Sequence, residues 1–110
     1  MAASRHMHVY GSRSEQFATI AVEARRNAIA KCRPGVEWRD IHLGACLDIA
    51  RGLDDMGILR GTAEGLLEQD AQALFFPHGI GHMLGLGVRD AGGALPGRRK
   101  SRKPGLRYLR

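Results

Sequence analysis

The sequence is poor in aromatic residues and has no long apolar run. Only 5% of its 110 residues are Phe, Trp or Tyr, so Leu, Ile, Val and Ala must supply most of the packing. No apolar segment reaches the roughly 20 residues of a membrane span, and the N-terminus lacks the apolar core of a signal peptide. We therefore expect neither membrane association nor export. The length of the chain allows one domain with a modest core.

Cysteine is also scarce. Cys32 and Cys46 are the only two, and they do not form the C-x-x-C spacing of zinc or dithiol redox sites. Two cysteines without such a framework are typical of reduced thiols inside cells. The sequence thus predicts a cytoplasmic protein.

Acidic residues are absent from one part of the chain. Residues 98–110 contain seven basic residues and no acidic one, whereas residues 1–97 contain ten basic and eleven acidic residues. The net charge of +6 is therefore a property of this tail. A basic run attracts phosphate backbones, but no aromatic residues are interleaved with the cluster at 98–103, so we expect a solvated basic loop at 94–110. A nucleic-acid binder is the weaker alternative.

Helical periodicity dominates the first half. Apolar residues recur every three or four positions at about 14–32, after the S-x-x-E spacing of Ser12 and Glu15 that is typical of a capping box. A second periodic segment covers about 39–56 and ends at Gly57, a typical C-terminal cap. The Pro-Gly turn between them predicts an antiparallel helical hairpin over 14–56, and a short helix from Thr62 to about Asp70 follows.

The character of the sequence changes after residue 70. Residues 73–76 form a short apolar run stopped by Pro77, which predicts a buried strand. Glycines are frequent in the following residues and disfavour a helix. We therefore predict a His- and Gly-rich strand block over 71–93, and an α+β fold in which the hairpin packs on part of a curved antiparallel sheet.

His78 and His82 are the candidate site residues of this block. On a helix, a four-residue spacing suits a zinc pair, but the helical zinc motif needs a glutamate where this chain has Gly79. In a strand, the same spacing also places both side chains on one face. The pair is thus either a metal or catalytic pair, or two hydrogen-bonded histidines of a tight glycine-rich structure.

Four segments together resemble one family. Residues 74–90 are similar to the block "FFPHGxGHxLGLDVHD" of prolidases and Xaa-Pro aminopeptidases, members of the pita-bread metallopeptidases. Residues 33–42, 57–61 and 101–110 resemble further segments of that family in the same order. The resemblance implies an incomplete pita-bread fold, with residues 1–110 as a single partial catalytic domain. It also implies metal-dependent hydrolysis of the peptide bond before proline, in peptides with proline in the second position.

The resemblance further implies a site of two divalent ions (Mn, Co or Zn) held by two aspartates, one histidine and two glutamates. His82 matches the histidine ligand, and His78 matches a histidine beside the substrate. Arg89 replaces the family's catalytic histidine, Gly87 replaces an aspartate, and Ala2 stands where one aspartate ligand belongs. One ligand of the five remains, so the resemblance implies that this chain is a truncated relative. We expect it to be inactive by itself and unable to hold two metal ions.

Three functions stay open at this point. The chain is a peptidase fragment, a non-catalytic pseudoenzyme that keeps a substrate cleft, or a nucleic-acid binder that depends on its basic tail. Unpaired strand edges would favour homo-oligomers. Of the other histidines, His42 is expected to be structural, and His6 and His8 are expected to lie in a frayed N-terminus and to bind metal only adventitiously.

Overall fold

The computed structural model describes residues 2–90, 96–97 and 102, and these are mainly helical. Among the described residues, four α-helices follow one another: α1 Ala2–Tyr10, α2 Ser14–Lys31, α3 Trp38–Asp55 and α4 Ala63–Glu68, before a 3₁₀ helix at Ala71–Leu74. The predicted hairpin over 14–56 is confirmed as α2 and α3, and the predicted short helix is confirmed as α4. The expectation of a frayed N-terminus is wrong, since residues 2–10 form α1.

The N-cap of the first helix of the hairpin lies one residue later than predicted. Arg13 is the N-cap, and its backbone N–H donates to Oε1 of Gln16 at 2.8 Å. The predicted pairing of Ser12 with Glu15 is therefore wrong. The hydroxyl of Ser12 lies instead 2.7 Å from Nδ1 of His6, which joins α1 to the start of α2.

The second helix of the hairpin ends as predicted at Gly57, which has a φ of +70°. The N–H of Ile58 donates to the carbonyl of Leu53 at 2.9 Å, and that of Gly57 donates to the carbonyl of Asp54 at 2.8 Å. These two bonds define a Schellman motif. Ile58 then packs on the core that contains Leu53, so the motif closes the helix and adds an apolar contact.

The core lies between α2 and α3 and consists of two clusters. Ala24, Ile49 and Leu53 form one of them, against which the partly buried Phe75 and Phe76 pack. The other contains Ala28, Ile41 and Ala45, and Ile80 packs on it. The segment after the 3₁₀ helix is thus attached to the hairpin at two places.

The strand predicted at residues 73–76 is wrong. The backbone enters a 3₁₀ helix through Asp70, whose φ is +52°, and leaves it at Phe75 in a right-handed helical conformation. The N–H groups of Phe75 and Phe76 both donate to the carbonyl of Gln72, at 3.0 and 2.8 Å. Because these groups are satisfied locally, the apolar run packs on the hairpin without a partner strand.

The curved sheet stays a prediction. Among the described residues, β pairing is limited to one isolated antiparallel bridge between Met83 and Asp90. Of the basic loop predicted at 94–110, the structure describes only residues 96, 97 and 102, so this prediction lies mostly outside the described residues.

Candidate functional site

His78 and His82 lie on one exposed segment, residues 77–90, which we call the His loop. Nδ1 of His78 lies 3.1 Å from the carbonyl oxygen of Gly79, and Nδ1 of His82 lies 3.0 Å from that of Met83. A carbonyl oxygen only accepts, so Nδ1 is the protonated nitrogen in both of these contacts. In the neutral ring, Nε2 then keeps its lone pair, which is the state that binds a metal ion or accepts a proton.

Contacts to the hairpin fix the first half of the His loop. The ring of His78 meets that of Phe76 edge-on, with centroids 4.8 Å apart and an interplanar angle of 73°. Ile80 packs on the core cluster of Ile41, and Gly81 lies against the indole of Trp38. The backbone between the two histidines is therefore held by α3.

The second half of the His loop is closed by its own backbone. The N–H of Asp90 donates to the carbonyl of Met83 at 3.0 Å, and that of Gly85 donates to the carbonyl of Gly87 at 3.3 Å. Apolar side chains are exposed along this part: Met83, Leu84, Leu86 and Val88. Arg89 is exposed beside them. Water thus reaches both the apolar side chains and the arginine.

A buried polar cluster lies beneath the His loop, formed by His42, Cys46 and Gln72. Nε2 of His42 is 3.4 Å from Sγ of Cys46. Burial raises the pKa of the Cys46 thiol to about 11; a hydrogen bond from Gln72 opposes the rise, and the charge of Asp70 adds to it. The thiol is therefore neutral near pH 7 and can donate one hydrogen bond while accepting another.

The sequence pattern did not reveal this cluster as a unit. His42 and Cys46 lie four residues apart on the buried face of α3. This spacing can be seen in the sequence. Gln72 comes from the 3₁₀ helix, where a strand was predicted. One feature of the sequence could have predicted the cluster. His42 and Gln72 each lie within an otherwise apolar stretch, and a polar residue in such a stretch indicates a buried hydrogen-bonding group.

The described residues fit a metal site only in part. No three or more His, Cys, Asp or Glu side chains among them are grouped to hold a metal ion. His82 has an accessible imidazole, whereas Ala2, at the position of an expected aspartate ligand, lies on α1. His6 contacts Ser12 and the ring of Tyr10, at a centroid distance of 4.7 Å. One imidazole is too few for a dinuclear site.

One cavity of the described residues lies elsewhere. It has a volume of about 320 Å³ and occupies the turn between α2 and α3, lined by Ala30, Lys31, Arg33, Val36, Asp40 and Ile41. Neither histidine of the His loop lines it. The candidate site is therefore an exposed surface of the His loop and not an enclosed pocket.

Comparison with protein families places this arrangement in context. The family model described as "Metallopeptidase family M24" matches residues 3–106. The chain belongs to metallopeptidase family M24. Members of this family use divalent metal ions.

Curated relatives within family M24 carry related names. The chain is 38% identical over 101 residues to a "Probable Xaa-Pro aminopeptidase" of Ajellomyces capsulatus, covering 92% of this chain and 21% of the relative. It is 43% identical over 82 residues to an "Xaa-Pro dipeptidase" of Shewanella oneidensis, covering 74% of this chain and 19% of the relative. The chain thus spans about a fifth of the length of these relatives.

None of the described helices of this M24 chain combines the length and the apolar character needed to cross a membrane. Both cysteines are free thiols; Cys32 is exposed and Cys46 is buried.

Proposed function

We propose that the chain supplies the histidine-bearing part of an Xaa-Pro peptidase, which hydrolyses the bond before a proline in the second position of a peptide. The observation that carries the proposal is the His loop. It exposes two imidazoles whose Nδ1 atoms are engaged by backbone carbonyls, in a family whose curated relatives are named Xaa-Pro aminopeptidase and Xaa-Pro dipeptidase.

The two histidines have different roles in this proposal. His82 binds a divalent ion (Mn, Co or Zn) through Nε2, since Nδ1 donates to the carbonyl of Met83. His78 faces the peptide and donates or accepts a proton at Nε2. The free thiols support the cytoplasm as the compartment. The remaining metal ligands must come from outside the described residues, so no step of hydrolysis is derived through the metal.

The 110-residue chain is expected to be inactive by itself. A single imidazole does not hold a dinuclear site. Arg89 stands at the position of the family's catalytic histidine, and a guanidinium remains protonated at neutral pH. We therefore expect no hydrolysis of Ala-Pro or Gly-Pro substrates by the isolated chain with manganese, cobalt or zinc.

A chimera tests the proposal. Residues 11–110 replace the matching segment of the Shewanella oneidensis Xaa-Pro dipeptidase, and calorimetry measures manganese binding. We expect tight binding, which the substitution His82→Ala abolishes. The matched variant His78→Ala should keep the metal affinity and lower the turnover of a Gly-Pro dipeptide. Equal metal affinity with and without His82→Ala would refute the ligand role of His82.

A non-catalytic peptide-binding protein is the second candidate. Arg89, exposed at the position of the catalytic histidine, favours it. Under this alternative, the isolated chain binds a Gly-Pro peptide without metal, and an NMR titration of its His loop signals would show this directly. The nucleic-acid binder depends on residues 98–110, of which the structure describes only Arg102.

A further inference from the structure

Three side chains lie on one face of α3. Trp38, His42 and Cys46 are spaced four residues apart, so they lie above one another on the helix. We call them the α3 stripe. The indole is 38% exposed, whereas His42 and Cys46 are buried. The stripe therefore runs from the surface into the core, and the His loop crosses its exposed end.

The exposed end of the stripe contacts the backbone near His82. A Cβ atom placed on Gly81 would lie 3.0 Å from Cζ2 and 3.1 Å from Cη2 of Trp38. Such distances are shorter than ordinary contacts, so a side chain at this position would require the indole to shift by a few tenths of an ångström. The chain therefore passes the indole at backbone contact, one residue before His82.

The buried end of the stripe contacts His78 through an intermediate ring. The ring centroids of His42 and Phe76 are 5.7 Å apart, with an interplanar angle of 31°. Phe76 in turn contacts His78 at 4.8 Å and 73°. Edge-on and offset contacts at these distances are favourable and depend on ring orientation. A series of two ring contacts thus connects the buried ring of His42 with the exposed ring of His78.

Hydrogen bonds fix the orientation of the buried ring. Nε2 of His42 lies 3.4 Å from Sγ of Cys46, and a hydrogen bond joins Cys46 to Gln72. The carbonyl of Gln72 accepts the N–H of Phe76 at 2.8 Å. Cys46 and Gln72 therefore connect the ring of His42 to the backbone of Phe76 and restrain both. An apolar side chain at position 42 would fill the space without this directional restraint.

We propose that His42 is a positioning residue that orients the imidazole of His78 through the ring of Phe76. The proposal rests on the function above, in which His78 faces the peptide. His42 makes no contact with substrate in this scheme. Its effect is to reduce the rotational freedom of the exposed imidazole before a ligand arrives.

The test uses the 110-residue chain and NMR of its imidazole Cε1–H groups. In His42→Leu, we expect the His78 signal to shift and broaden, because the ring current of Phe76 at His78 changes with the ring's orientation. The His6 signal, which reports α1, should not move. Leu66→Ala is the matched control. It removes a buried side chain of α4 that takes no part in the contacts between His42, Phe76 and His78, so the His78 signal should not move.

Two further variants keep the test decisive if His42→Leu does not fold. Cys46→Ala retains all the rings but removes a hydrogen-bond partner of His42, and should shift the His78 signal in the same direction by less. Phe76→Leu removes the intermediate ring; on that background, Cys46→Ala should no longer move the His78 signal. An unmoved His78 signal in the folded His42→Leu or Cys46→Ala chain overturns the proposal.

The chimera separates this proposal from the function on which it rests. There, His42→Leu should lower kcat while KM and the manganese affinity remain within a factor of two. Failure of the proposed function would appear as a chimera without metal binding or turnover, while the NMR shift in the isolated chain persists. An active chimera whose kcat is insensitive to His42→Leu would refute the positioning role alone.

Discussion

Gly81 lies directly against the indole of Trp38. A Cβ atom added to this glycine would come 3.0 Å from Cζ2 of the tryptophan, closer than ordinary carbon–carbon contact. The absence of a side chain at residue 81 therefore allows the His loop to approach α3 this closely without displacing the indole. This contact ties a loop position to the first residue of α3.

The contact predicts the effect of a single methyl group. Gly81→Ala should lower the free energy of unfolding by about 1 kcal/mol, a typical cost of overpacking, and should shift the NMR signal of the neighbouring His82. Gly87→Ala is the matched control, since a Cβ there meets nothing within 4 Å. In the double variant Trp38→Leu/Gly81→Ala the second substitution should cost less, and additive costs in urea unfolding would contradict the contact.

The Schellman motif at the end of α3 gives a second prediction. Gly57 has a φ of +70° and open space around its Cα, so only the backbone conformation opposes a side chain. Gly57→Ala should therefore destabilise the chain by about 1 kcal/mol, as expected for a left-handed position. Gly57→Asn should cost less, because asparagine tolerates this region. Equal costs for the two variants in thermal unfolding would argue against a backbone origin.

The Cys46 thiol predicts a loss of stability at high pH. Its pKa is raised to about 11 from an ordinary value of 9.0. Folding then favours the protonated thiol, so this contribution is complete below pH 9 and is lost as the pH rises towards 11. At about 1.4 kcal/mol for each pH unit between 9 and 11, the loss is at most about 3 kcal/mol. Urea unfolding between pH 8 and 11 measures this loss of stability. In Cys46→Ala, the free energy of unfolding should depend less on pH over this range.

Thiol labelling provides the control for this prediction. At pH 8 an alkylating reagent should modify the exposed Cys32 rapidly and the buried Cys46 only on unfolding. Cys32→Ser should therefore abolish rapid labelling. Rapid modification of two thiols per folded chain would show that Cys46 is accessible. That result would contradict the burial on which the predicted pH dependence rests.

Arg89 predicts a gain of function in the chimera. Arg89→His should raise the turnover of a Gly-Pro dipeptide, since a positioned general acid or base typically contributes about 10²–10⁴-fold. Arg89→Gln removes the charge without supplying an imidazole. If Arg89→Gln raises turnover as much as Arg89→His, charge repulsion at the metal site accounts for the effect and the lost imidazole does not.

The exposed apolar side chains of the His loop predict self-association of the isolated chain. Leu84 and Leu86 are exposed by 78% and 108% relative to the reference state, and clustered exposed apolar groups favour association. Sedimentation velocity should show oligomers that the double variant Leu84→Ser/Leu86→Ser reduces. Val22→Ser, a change at an isolated exposed valine of α2, should have no effect. A monomeric parent chain at high concentration would refute the prediction.

Local signals explain why the hairpin was predictable from the sequence. The 3.6-residue period of α2 and α3, the Pro-Gly turn and the cap at Gly57 all act within a few residues of the features that they determine. The 3₁₀ helix was missed because a four-residue apolar run has no period of its own. Its conformation depends on packing against α3 and α4, which no local pattern encodes.

The candidate site was predictable in part for the same reason. His78 and His82 were identified from spacing and resemblance, and both lie on the exposed His loop. The contacts that restrain them were not visible, because Trp38 and Gly81 are 43 positions apart in the sequence and His42 and Phe76 are 34 apart. α1 was not predicted; it has only nine residues, and none of them is buried.

Trp38 is the single tryptophan of the chain, and its indole is covered on one side by the backbone at Gly81. Its fluorescence emission should therefore respond to the separation of the His loop from α3. A red shift under conditions that leave the helical circular dichroism unchanged would mark local opening. Titrations of metal ions or peptides can accordingly be followed optically on the unmodified chain, without an attached dye.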